Sequence, residues 1–306
     1  MSRNQNALRI INLAELSQDE KNQLISKQLV TKEILAYAQD RHEASFTEKN
    51  EAFLTVVYQV LEQAVVPFHI GDIPKFHPLT FVLNAECLVL LTTPLTHSMS
   101  VLMAEQIDQT QSPRHMLYQL LTLFTKQYFA LMDDITQHRD HLIKDLRKRP
   151  NKHNLAVLAN LQSGSVYLLM GSKQNSEMLN DLKALSQDDD DLEVEKEQLT
   201  DALIEARQLS NMCSLHTRIL EQLASSYNNV LSNRLNDNVT VLTIISVGLA
   251  IISAVTSFYG MNVKLPFAKI DVVWLLILLI TSLFALIAMV AMRRFVNHDH
   301  DDRWNR

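Results

Sequence analysis

The stretch VTVLTIISVGLAIISAVTSFYGMN, residues 239–262, decides how this chain must be organised. Residues 239–258 carry no charge and no proline, and about 20 such residues are what a helix needs to cross the hydrocarbon core of a bilayer. A second run of the same kind, VVWLLILLITSLFALIAMVAM, occupies residues 272–292. Core helices of soluble proteins rarely stay apolar for so long, so the two runs read as a membrane hairpin. The connection between them, residues 259–271, is too short to recross the bilayer. The large N-terminal part and the C-terminal tail are therefore expected on one side, with the polar Tyr259-Gly260-Met261-Asn262 at the opposite mouth.

Working outward, the chain of 306 residues is long enough for one soluble domain plus the hairpin, and its net charge of −6 argues against a nucleic-acid binder. Residues 1–15 have no apolar segment behind a basic start, so no cleavable signal peptide is expected and the soluble part belongs in the cytoplasm. Positive charge agrees in part: Arg234, Arg293 and Arg294 flank the cytoplasmic ends, whereas Lys264 and Lys269 lie in the outer connection. Cys87 and Cys213 sit in unlike contexts without a CxxC or metal-ligand spacing and read as buried structural thiols.

Residues 1–190 read as an α/β domain with a mixed or antiparallel sheet and a helical layer. A strand is expected over residues 7–13, then a helix opened by Ser17 with Glu20 as a capping box, then a second helix from about Thr31. Strand-like runs follow at residues 52–59, 64–70, 79–83 and 87–92, punctuated by Pro67, Gly71, Pro74, Pro78 and Pro94. From Pro113, with Ser112 as N-cap, no Gly or Pro interrupts the chain until Pro150, which predicts one long amphipathic helix. Two further helices are expected at residues 154–170 and 177–185, with Gly171 as the C-cap between them.

From about Leu192, Leu199, Leu203, Ala206, Cys213, Leu220, Ala224, Tyr227 and Leu231 follow a near-heptad course directly into the first span. This predicts a stalk over residues 191–238, continuous with the span at 239–258, whose stripe needs partners; identical stalks of other subunits are the economical ones. The spans differ in chemistry. Residues 272–292 have only Thr281 and Ser282 as polar side chains, which suits an outer helix in lipid, and residues 293–306 form a cytoplasmic tail. The first span and its approach instead repeat Asn236, Thr240, Thr243, Ser246, Ala250, Ser253 and Ser257 at intervals of three or four residues, so small and polar groups share a face. That face can pack closely against another helix or line a narrow pore.

The order of an α/β region, a very long helix, a first span ending in Tyr-Gly-Met-Asn and a second span near the C-terminus resembles the CorA family of divalent-cation channels. The resemblance implies a funnel-shaped homopentamer with both termini cytoplasmic, a pore lined by the first span, and a selectivity filter at Gly260, Met261 and Asn262. Five Asn262 carboxamides would ring the mouth, and Gly260 would let the backbone leave the helix. Aligned without a gap from Asn262, Asn236 matches the asparagine at the cytoplasmic end of the pore and Leu242 a gate-region leucine. Val239 and Ala250 stand where methionine is usual, Ser253 replaces a common threonine, and Ile251 takes the place of a customary proline. The cargo implied is Mg²⁺, with Co²⁺ or Ni²⁺ as further ions, entering down its electrochemical gradient and closing the channel from the cytoplasm; no permanently bound cofactor is implied. Asp201 matches a regulatory aspartate on the stalk, at an interface between subunits. Two alternatives stay open: a Zn²⁺ transporter of the same superfamily, and a membrane-anchored scaffold or sensor that moves no ion.

The remaining clusters have simpler readings. Asp188, Asp189, Asp190 and Asp191, with Glu193, Glu195 and Glu197, form an acidic run that suits a helix N-terminus and also supplies the hard oxygen donors of a weak Mg²⁺ site. His298, Asp299, His300, Asp301 and Asp302 read as juxtamembrane polarity. The chain lacks GxxxxGK[ST], HExxH and GxSxG, so neither ATP-driven transport nor an enzyme is expected.

Overall fold

The computed structural model describes residues 7–61, 76–148, 152–186, 192–261 and 273–304, with residues 146–148, 152, 273–274 and 295–304 described by their backbone. Among these described residues, five strands and seven helices follow in the order β1 (Leu8–Asn12), α1 (Gln18–Ser26), α2 (Lys32–Gln39), β2 (Phe46–Lys49), β3 (Leu54–Leu61), β4 (Phe76–Leu83), β5 (Leu88–Thr92), α3 (His97–Ala104), α4 (Pro113–Lys148), α5 (Lys152–Leu185), α6 (Glu193–Tyr259) and α7 (Val273–Trp304). They divide into two compact units, Met1–Ser225 and Ser226–Arg306.

In the first unit the strands form one mixed sheet in the order β1-β5-β4-β3-β2. Strands β2 to β5 run as an antiparallel meander, and β1 joins β5 in parallel, Leu8 opposite Leu88 and Ile10 opposite Leu90. The three central strands, β3, β4 and β5, are mostly apolar and buried because both of their faces are covered, whereas the edge strand β2 ends in the exposed Glu48 and Lys49. Leu79 and Phe81 of β4 and Leu88 and Leu90 of β5 pack with α3, α4, α5 and α6, whereas the alternate Val82, Val89 and Leu91 pack with Ile34, Leu35 and Ala38 of α2.

Local signals hold where they were strongest. Ser17 accepts from the Glu20 N–H and the Glu20 carboxylate accepts from the Ser17 N–H at 2.8 Å, completing the capping box of α1. Thr31 caps α2, and the Ser112 hydroxyl accepts from the His115 N–H at 3.0 Å to start α4. Strand β4 begins at Phe76, not after Pro78, because Pro78 faces Gln59 of β3 at a point where β5 is not yet paired and its missing N–H costs no ladder bond. Strand β2 and helix α3 lack a distinctive pattern and went unread; the strand expected at residues 64–70 lies outside the described residues.

Two expectations are corrected. Gly171 does not cap a helix: α5 runs unbroken through it, and no described glycine has a positive φ. Gly171 instead faces the Phe76 ring of β4, which a Cβ there would meet in ordinary contact at 3.5 Å. One turn on, the buried Asn175 does the work of a missing strand. Its carboxamide donates to the Gln59 carbonyl and accepts from the Gln59 N–H, both at 2.8 Å, on the edge of β3 that β2 leaves uncovered.

The second correction concerns the apolar stripe of α6. Leu199, Leu203, Ala206, Cys213 and Leu220 are buried within the chain itself, not against other stalks. Leu199, Leu203 and Ala206 join the core formed by the sheet, α4 and α5. Further along, Cys213 Sγ lies 3.7 Å from Met132 Sδ of α4, and the Thr217 hydroxyl reaches the Ser165 carbonyl of α5 at 3.3 Å. Burial pushes the Cys213 thiol up to about 11, as befits an inert core cysteine.

Candidate functional site

The second unit contains the C-terminal part of α6 and α7, the two helices among the described residues that are long and apolar enough to cross a membrane. Only 6% of the most apolar window of each is buried in the chain, which separates them from core helices of a soluble protein. They meet at Gly248, where a Cβ would sit 2.7 Å from Met289 Sδ. The α7 side chains turned inward are Thr281 and Ala285, both buried; on α6, Ile244, Val247, Ile251 and Val255 are half-covered around Gly248. Small residues at such a contact let two helix backbones approach closely.

At 3.6 residues per turn, the polar and small stripe of α6 falls on roughly the opposite side. Asn236, Val239, Leu242, Thr243, Ser246, Ala250, Ser253 and Ser257 are all exposed, and only Thr240, at the border, is half-covered. The hydroxyls there are oriented: Thr243 donates to the Val239 carbonyl and Ser246 to the Leu242 carbonyl, each at 2.8 Å. With its hydrogen turned back to the helix, each oxygen presents lone pairs outward. Helix α6 is unbroken past Ile251 to Tyr259, where the Phe258 and Tyr259 rings meet edge-on.

At the end of α6 the Gly260 N–H still donates to the Thr256 carbonyl at 3.0 Å, and a Cβ on Gly260 would lie 3.4 Å from that oxygen. Gly260 has no positive φ, so the chain does not use glycine's left-handed freedom to leave the helix here, and a Cβ would find only ordinary contact beside Thr256. Met261 is exposed, and Asn262 lies outside the described residues.

In the first unit, Asp201 is exposed on α6, while Asp188, Asp189, Asp190 and Asp191 lie outside the described residues. No group of three or more His, Cys, Asp or Glu is assembled among the described residues. Next to Asp201 runs a feature that the heptad reading passed over. Ile204 and Leu215 are more than half exposed and, with Gln208 and Met212, line a shallow groove of about 450 Å³ along α6. The signal was present in the sequence as a second apolar series offset from the buried one, but periodicity does not tell which series the chain's own helices will cover. Glu195 was also read only as part of an acidic run; it is buried, accepting from the Ser112 hydroxyl, and so ties the start of α6 to the start of α4.

Comparison with known proteins agrees with this architecture. The family described as CorA-like Mg²⁺ transporter protein matches residues 5–294. Among solved structures, the chain is similar to the complete CorA magnesium transporter from Methanocaldococcus jannaschii, with TM-score 0.75 and 18% identity over 92% of this chain and 88% of that one. It is also similar to the soluble domain of that CorA (TM-score 0.57, 16% identity, 68% of this chain and 83% of that one) and to the full-length CmaX protein (TM-score 0.57, 18% identity, 86% and 82%). No curated protein matches the chain.

Proposed function

The chain belongs to the CorA-like Mg²⁺ transporter family, and from that premise we propose that it is a homopentameric channel passing Mg²⁺ down its electrochemical gradient, with both termini in the cytoplasm of a cell whose membrane the second unit spans. The observation that carries this reading is the stripe of α6 left uncovered on the side away from α7. Exposed polar and small groups in an otherwise apolar membrane helix are costly against lipid and find their place around an aqueous path.

No carboxylate occurs in residues 239–258, so the stripe offers no cage for a bare ion. Mg²⁺ gives up its waters reluctantly. The outward lone pairs of Thr243 and Ser246 suit the hydrogens of a hydrated ion, and Asn236, Thr240, Ser253 and Ser257 extend the polar path while Val239, Leu242 and Ala250 narrow it. Gly260, Met261 and Asn262 form the filter at the outer mouth in this reading. The exposed groove in which Ile204, Met212 and Leu215 lie among Arg207, Gln208 and Asn211 supports self-association along the stalk. Mg²⁺ bound at Asp201, and at Asp188, Asp189, Asp190 and Asp191, would offset carboxylate repulsion between subunits and favour the closed assembly.

Flux into proteoliposomes tests the reading directly. Mg²⁺ should enter without ATP, with Co²⁺ and Ni²⁺ as competitors. Selective Zn²⁺ flux would instead place the chain with zinc transporters, and no divalent flux from a correctly inserted protein would make it an anchored scaffold.

A further inference from the structure

A cavity of about 520 Å³ opens in the first unit where β1 and β5 end. These strands are the only parallel pair among the described residues, so the segments leaving their carboxyl ends emerge side by side. In α/β folds, small ligands lodge outside the carboxyl ends of parallel strands. The volume lies within the usual range of roughly 300–1,000 Å³ for small-molecule sites.

The walls are of two kinds. Leu13 after β1, Pro94 after β5 and Pro78 of β4 supply apolar surface. Facing the same space are Lys21 from α1 and Arg41 just past α2, with His77 and Asp40 beside them. Lys21 is half-buried, and neither its side chain nor that of Arg41 has an ion pair or hydrogen bond among the described residues. Asp40 does not neutralise them by contact: its carboxylate accepts from the His42 N–H at 2.9 Å within its own turn. A partly desolvated ammonium without a counter-ion is relieved when an anion arrives. An ammonium and a guanidinium together match a doubly charged tetrahedral group, the first as a point charge and the second as a fork. The space is larger than inorganic phosphate fills, which leaves the apolar wall for an organic part.

We propose that this cavity binds a small organic phosphate, its phosphate between Lys21 and Arg41 and its carbon framework against Leu13, Pro78 and Pro94.

Calorimetric titration of the purified full chain in detergent, at low salt and with EDTA to remove divalent ions, tests this with three probes: AMP, inorganic phosphate and succinate. AMP should bind saturably and more tightly than inorganic phosphate, succinate should bind more weakly still, and added NaCl should weaken all binding. Lys21→Met and Arg41→Met, the first at a half-buried and the second at an exposed position, should each weaken AMP binding by about tenfold while leaving the thermal unfolding midpoint unchanged. The proposal is overturned if AMP does not saturate the native chain, if both variants bind it as the native chain does, or if succinate or inorganic phosphate binds as tightly as AMP. Ion flux plays no part in this measurement, so its failure leaves the transport reading untouched.

Discussion

Gly171 and His216 show how much a single residue's meaning depends on its neighbours. The position a Cβ would take on Gly171 is in ordinary contact with Phe76, whose ring stacks on Tyr128 with centroids 5.6 Å apart. Glycine within a helix costs about 0.5–1 kcal/mol relative to alanine. Gly171→Ala should therefore raise the thermal unfolding midpoint of the full chain; a C-cap glycine in the left-handed region would give the opposite sign. His216 is buried between α6 and α4. The Thr136 hydroxyl already donates to the Met132 carbonyl, so His216 Nε2–H donates to Thr136 Oγ1 at 3.3 Å, leaving Nδ1 to accept from Arg139 Nη1 at 3.4 Å. Burial, and then the Arg139 charge, hold the imidazole below its ordinary 6.5, with Asp140 opposing in part. A lowered folded-state value means that the unfolded chain takes up the proton first. The stability owed to neutral His216 is present in full above about pH 6.5 and is lost as pH falls through the folded value. His216→Gln, which keeps a donor and an acceptor without titrating, should flatten the decline of the unfolding midpoint as pH falls below 6.5; an unchanged decline would assign it to other groups.

At the scale of elements, one polar side chain of α5 completes the edge of the sheet, and one absent side chain on α6 makes room for α7. Asn175→Ala strands the Gln59 N–H in a dry site, and the Gln59 carbonyl keeps only the Tyr128 hydroxyl. A buried polar group left without its partner costs about 1–3 kcal/mol, and the variant should lose about that much in chemical unfolding. Asn175→Asp, which keeps an acceptor and loses the donor, should also be destabilised. In the second unit, Gly248→Ala should be tolerated because the atom it meets is the flexible end of Met289, whereas Gly248→Leu must push α7 away. Met289→Ala should then recover part of the stability lost in Gly248→Leu, and no recovery would mean that the helices do not meet at this pair.

For the whole molecule, the consequential statements concern copies of the chain acting together. If five Asn262 carboxamides ring the mouth, Asn262→Ala should abolish or strongly reduce Mg²⁺ flux while the detergent-solubilised assembly keeps its mass, because the change removes hydrogen-bonding groups and little packing. Moving a channel from mostly closed to mostly open takes roughly 5 kcal/mol of differential binding, more than one weak site supplies. Asp201→Asn should therefore raise the internal Mg²⁺ concentration that inhibits flux without changing ion selectivity. Inhibition curves that overlay those of the native chain would leave Asp201 as a solvated residue of α6.

The hairpin, the long helix leading into it and the caps of α1, α2 and α4 were legible in the residues alone, because each rests on a local quantity: a run long enough for a bilayer, an unbroken stretch without Gly or Pro, a hydroxyl placed to accept from an N–H three residues on. The family resemblance was likewise carried by a short motif and its position. What the sequence left open were questions about which surface meets which. The stripe through Leu199, Cys213 and Leu220 could have faced another copy of the chain, and only the packing of α4 and α5 shows that it is covered from within, leaving Ile204 and Leu215 outside. Gly171 had the sequence context of a helix end, and only the nearness of Phe76 makes it a contact. The polar face of α6 could have packed on α7, and only the Gly248 to Met289 contact turns it the other way. Periodicity defines the faces of a helix, but burial is a property of pairs of elements, and pairs are settled only when the chain has folded.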